Sequence, residues 1–173
     1  MSRSISVLLP MFLALVLSAC TSGDEEEAAP KAVAPPAVLH APATPDDKQW
    51  KMYLQQVVGQ NMAGVTDRVF PYYLPANSTA VVATDTDNRN QYGRQLENVT
   101  SVLARTVLPG NMLVFGSPDS TKMADLIIAS FTGGKPDALK GSQVLFIGNS
   151  ADSPRVKAAT EAVGGKYIFV EAK

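Results

Sequence analysis

Two short runs, Met112-Leu113-Val114-Phe115 and Val144-Leu145-Phe146-Ile147, are apolar at every position, and each passes through a glycine and a polar turn into a segment with helical spacing. A strand with one face in water alternates apolar and polar residues, so a run with no polar position predicts a strand covered on both faces. Such strands joined through helices imply a parallel sheet with right-handed crossovers. Tyr167-Ile168-Phe169-Val170 closes the chain with a third run. The expected fold class is α/β: a three-layer sandwich on a small, mostly parallel sheet of about four strands.

The helical segments carry the matching stripes. Met123, Leu126, Ile127 and Phe131 share one face near 121–131, and Val156, Ala159 and Val163 share one near 154–163. Each segment runs into a glycine pair, Gly133-Gly134 or Gly164-Gly165, of the kind that stops a helix. Upstream, Asp46-Asp47 opens an additional amphipathic helix in which Trp50, Tyr53, Leu54, Val57, Val58, Met62 and Val65 recur at three- and four-residue steps. Gly59 and Gly64 weaken its second half by about 1 kcal/mol each relative to Ala. Thr79–Thr84 reads as the first strand, with Asp85-Thr86-Asp87-Asn88 capping a helix that carries Tyr92, Leu96, Val99 and Leu103. Asp85-x-Asp87 opens like a calcium loop, but Arg89, Asn90 and Leu96 stand at its fifth, sixth and twelfth positions, so no metal is expected there. Phe70-Pro71-Tyr72-Tyr73-Leu74-Pro75 cannot be regular helix and reads as a loop over the core. Its alternative reading is an aromatic partner-docking patch of Phe70, Tyr72 and Tyr73.

The first twenty residues are of another kind. Arg3 and the terminal amine precede an apolar stretch from Ile5 to Leu17, interrupted by Pro10 and too short to span a bilayer, so it reads as a secretory signal. Leu17-Ser18-Ala19-Cys20, which holds the single cysteine, resembles the lipobox of bacterial lipoproteins. That resemblance implies cleavage after residue 19 and diacylglycerol and N-acyl chains on Cys20. Two or three acyl chains hold a protein on a bilayer without a membrane-binding surface of its own. Thr21 rather than Asp after the cysteine favours, by the same resemblance, the outer membrane, with the protein facing the periplasm. From residue 20 to 45 the acidic run Asp24-Glu25-Glu26-Glu27 and five prolines predict an extended tether, roughly 75 Å long at most. Residues 46–173 are expected as one periplasmic domain.

Charge and composition narrow the function classes. A net charge of −1 and a nearly neutral domain leave no basic stripe for nucleic acid. The one histidine, His40, lies in the tether, so the domain has no parts for Ser-His or Cys-His nucleophiles or for His-ligated zinc, and no cofactor or catalytic residue is expected. The dinucleotide and P-loop signatures are both absent. What remains is the pair of strand-to-helix turns. Gly116, Ser117, Asp119 and Ser120 in one, and Gly148, Asn149, Asp152 and Ser153 in the other, lie on the sheet edge where open α/β folds bind ligands. Helix capping explains them equally well, with Ser153-Pro154 and either Ser120 or Thr121 as caps. The chain is therefore expected to be a lipid-anchored envelope protein that acts by binding a protein partner as an accessory or scaffold. A small-ligand module using the two turns is the alternative, and a hydrolase a distant third.

Overall fold

The computed structural model describes residues 37–80 and 90–173. The signal peptide, Cys20 and the tether to residue 36 lie outside the described residues, as does most of the strand expected over 79–84 and its capping run at 85–88. Among the described residues four helices, α1 (Asp47–Gln60), α2 (Gln91–Ala104), α3 (Ser120–Phe131) and α4 (Ser153–Ala162), alternate with four strands, β1 (Val69–Tyr73), β2 (Met112–Gly116), β3 (Gln143–Gly148) and β4 (Lys166–Glu171). All strand pairs are parallel and the sheet order is β1-β2-β3-β4. The fold is the α/β three-layer sandwich that the apolar runs predict.

The strand order decides where the helices go. Right-handed crossovers that always step in the same direction across a sheet leave every connecting helix on one face. Thus α2, α3 and α4 lie side by side, and a core of Val99, Leu103, Met123, Leu126, Ile127 and Val156 meets the side chains that alternate toward it from the sheet: Tyr72, Leu113, Phe115, Val144 and Phe146. The opposite face takes the other alternation, Met112, Val114, Leu145 and Ile147, under α1 through Trp50, Tyr53, Leu54 and Val57. Burying each such side chain stabilises by about 1.5–3 kcal/mol. Both β2 and β3 are buried at every position, as continuous apolar runs require.

The first strand is not where the pattern placed it. Thr79 and Ala80 lie in a turn and bend, and the strand is the Phe70 segment that reads as a loop. Pro71 masks it. Met112 N–H donates to Arg68 C=O and Leu74 N–H to Gly116 C=O, so the even-numbered backbone groups face β2 and those of Val69, Pro71 and Tyr73 point off the sheet. At an edge the missing proline N–H removes no ladder bond.

Caps differ in detail from expectation. Asp46 caps α1 by accepting from Gln49 N–H, as its charge predicts. Asn90 caps α2, Asp119 rather than Ser120 or Thr121 caps α3, and Asp152 rather than Ser153 holds the cap position of α4, with Pro154 in its first turn. Gly133 and Gly164 adopt the left-handed backbone (φ 77° and 79°) that ends α3 and α4.

The compact unit also begins earlier than residue 46. Ala41 N–H donates to Lys173 C=O, Trp50 Nε1 to Thr44 C=O and Gln60 Nε2 to Ala37 C=O, while Leu39 and Ala41 pack on the α1-side core. Residues 37–45, expected as tether, therefore lie along the α1–β4 side of the domain. Both cores and the whole sheet are assembled from residue 39 onward, so a chain beginning at Thr21 keeps them. No helix among the described residues is long and apolar enough to cross a membrane.

Candidate functional site

The two strand-to-helix turns do meet. The Ser120 hydroxyl donates to Asp152 Oδ2 at 2.7 Å and accepts from Asn149 N–H at 2.8 Å. Ser117, also buried, donates to Leu74 C=O and accepts from Asp119 N–H. The Asp119 carboxylate caps Lys122 N–H at 3.0 Å and pairs with Lys122 Nζ at 3.0 Å, and that ammonium also reaches Ala76 C=O. Ser153 shares a hydrogen bond with the Tyr167 hydroxyl.

Arg155 completes the arrangement. Its Nε and Nη2 donate to Asp152 Oδ1 at 3.1 and 2.7 Å, its Nη1 pairs with Asp125 on α3, and Nη2 also reaches Thr121 C=O. Asp152 is 10% exposed at its side chain. Burial opposes its ionisation, but the hydrogen bonds from Ser120 and Arg155, the guanidinium charge and Thr121 outweigh it, and the carboxyl titrates below its ordinary value. The same pairs, Asp125 first, hold Arg155 above its ordinary value.

The glycines of these turns serve packing. A Cβ at Gly116 would sit 2.3 Å from Leu54 Cδ2 of α1, and one at Gly148 would sit 2.5 Å from the Phe146 ring and 2.6 Å from Ser120 Oγ. The close approaches they permit are made by the protein's own side chains. The topology points the same way: a sheet in sequential order has no position where neighbouring connections diverge to opposite faces, which is the geometry that opens a ligand crevice in α/β folds. The polar side chains of Ser117, Asp119, Ser120, Asp152 and Ser153 thus spend their hydrogen bonds on one another and on neighbouring protein groups.

The aromatic segment is divided between environments. Tyr72 is buried and stacked on Phe115 with ring centroids 4.9 Å apart, and Phe70 packs against the same core. Tyr73 faces the other way. Its hydroxyl donates to Asp47 Oδ1 at 2.8 Å and Lys51 Nζ lies 5.3 Å from its ring centroid. Partial burial, then the bond to Asp47 and the charges of Asp47 and Asp46, push its phenol well above the ordinary range. Beside it, α1 stops short of the sheet edge and leaves a groove of about 450 Å³ over Leu54, Val58, Val69, Pro71, Tyr73 and Val114.

Sequence reasoning missed Arg155, Asp125 and Thr121. Arg155 had a signal, its three-residue spacing from Asp152 on a helix turn. Asp125 had none, because its partner comes from another helix. Among the described residues no group of three or more His, Cys, Asp or Glu could hold a metal ion. No protein-family model, no curated protein and no solved structure matches the chain.

Proposed function

We propose that this is a lipid-anchored envelope protein, held on the outer membrane through acyl chains on Cys20 and facing the periplasm, whose domain acts as an accessory or scaffold by binding a protein partner. The observation that carries this reading over the small-ligand alternative is the closed cluster around Ser120, Asp152 and Arg155. A ligand entering there would have to displace charge-assisted hydrogen bonds that already satisfy these groups. The carboxylates available for acid–base work are committed in the same way, Asp119 to the α3 cap and Lys122, Asp152 to Ser120 and Arg155. The groove beside Tyr73 is apolar with a polar rim at Lys51 and Gln55, which suits a protein surface. An anchor adds to such a module by raising its concentration near the membrane.

The test sets the two surfaces against each other. A photo-crosslinking residue placed at Gln55 in cells should capture one envelope protein, and the same residue at Ala151, beside the polar cluster, should not. Thermal stabilisation of the domain by an anionic metabolite or wall fragment, lost on Asp119→Ala, would overturn the reading in favour of the ligand module.

A further inference from the structure

We propose that the end of the domain formed by the N-terminal ends of the strands rests on an anionic phospholipid surface. The proposal extends the lipid-anchored reading by saying which surface of the domain meets the bilayer. Three observations converge on that end. The chain arrives there: Ala37 C=O is held by Gln60 Nε2 in the last turn of α1, so whatever precedes residue 37 joins the domain beneath the sheet. With residues 37–45 laid against the domain, the sixteen residues between Cys20 and residue 37 span only about 50 Å even in polyproline conformation, against the roughly 75 Å expected of a tether ending at Pro45.

Exposed apolar side chains gather at the same end. Of the large hydrophobic residues that stand exposed among the described residues, Val38 (81%), Met62 (42%) and Leu108 (67%) lie here, and only Met52 lies elsewhere, on the outer side of α1. The loops that carry Met62 and Leu108 are joined through Thr66 N–H and Gly110 C=O, so the two side chains sit on neighbouring loops. A single exposed apolar residue is ordinary; three of four at one end of a domain are a grouping.

The charge is complementary. Arg68, Arg105, Lys135, Lys140 and Lys166 are all exposed on the loops and strand starts of this end. Its acids are fewer, Asp67, Asp137 and Glu161; Asp67 pairs with Arg68 and Glu161 with Lys157, which leaves Arg105, Lys135, Lys140 and Lys166 against Asp137. Arg105 stands at the C-cap of α2, where it also complements that helix's dipole, whereas the last turns of the four helices themselves carry no basic residue. At the opposite end the acids Asp119, Asp152 and Glu171 are each paired with a base, Lys122, Arg155 and Lys173, so the excess of basic over acidic side chains is a feature of the end where the strands begin. Basic side chains near an anionic leaflet each add about fivefold to binding, and interfacial Leu, Met and Val add apolar contact.

The experiment uses the chain from Thr21 onward, which lacks both Cys20 and the signal, so its outcome does not depend on lipidation; mass spectrometry of residue 20 in mature protein decides that question separately. The truncated chain has no cysteine, so Leu108→Cys and Ala151→Cys each place one environment-sensitive fluorophore, at the tether end and the far end. With vesicles of phosphatidylethanolamine and phosphatidylglycerol, the probe at 108 should shift to the blue and the probe at 151 should not, and phosphatidylcholine vesicles should shift neither. Lys140→Glu with Lys166→Glu, both exposed positions, should weaken binding by about tenfold or more. Absence of binding to the anionic vesicles, equal shifts at both probes, or affinity unchanged by the two reversals would each overturn the proposal.

Discussion

Ser120 and Asp152, 32 residues apart at the starts of successive helices, are joined by one hydroxyl-to-carboxylate hydrogen bond of 2.7 Å, and the same hydroxyl takes up the N–H of Asn149. One buried side chain thus ties the ends of β2 and β3 together. Ser120→Ala removes both bonds, leaves Asn149 N–H without that acceptor and withdraws a donor from a buried carboxylate. The expected loss is about 2 kcal/mol, in the range for hydrogen bonds to charged groups. Urea unfolding of the chain from Thr21 measures it, and a change below about 0.5 kcal/mol would show the tie to be incidental.

The lowered Asp152 titration carries a pH dependence. A carboxyl whose folded value lies below its unfolded one contributes stability that is present above the unfolded range, near pH 4, and lost as pH falls through the folded value. Stability should therefore decline as pH drops from about 5 toward 2, with a shallower decline in Asp152→Asn. Glu171 beside Lys173 shifts the same way, but it stands in solvent, where screening reduces its share. Parallel acid limbs for wild type and Asp152→Asn would remove this role from Asp152.

Gly148 tests whether the turn glycines serve packing. Added at this position, a methyl group meets the Phe146 ring and the Ser120 hydroxyl, both of them buried. Gly148→Ala should cost about 1–3 kcal/mol by overpacking. Because part of that cost comes from displacing Ser120, it should shrink in the Ser120→Ala background, giving a non-zero coupling in a double-mutant cycle. Strict additivity would place the strain elsewhere.

The parts of this molecule that were legible in its sequence are those where one physical demand dominates. Burial on both faces leaves no choice but apolar residues at 112–115 and 144–147, and a helix over one sheet face must show Trp50, Tyr53, Leu54 and Val57 in one stripe. What misled was a conflict between signals. Pro71 argues against a strand everywhere except at an edge facing outward, and edge position is a property of strand order, which no local pattern encodes. The apolar Thr79–Thr84 run then drew the strand assignment ten residues downstream. The candidate site was legible as two turns, since glycine, serine and aspartate announce them; that they are joined through Ser120, with Arg155 reaching back to Asp125, depends on helix–helix placement. The missing switch point is likewise a consequence of strand order alone.

Pro71 itself yields the last prediction. The outer backbone groups of β1 belong to Val69, Pro71 and Tyr73, and an exposed edge strand with a full set of donors is a template for pairing with another chain. Proline removes the central donor from that edge while β1 keeps its bonds to β2. Pro71→Val restores the N–H and adds a residue that favours strands, at an exposed position where the side chain meets little. The domain should therefore keep its thermal stability, or gain slightly, while its tendency to self-associate rises. Sedimentation velocity over a concentration series should show dimers or larger species for Pro71→Val at concentrations where the parent chain from Thr21 sediments as a monomer. Matching profiles for the two proteins would mean that something other than the proline, such as the Tyr73 and Lys51 side chains leaning over the edge, keeps β1 unpaired.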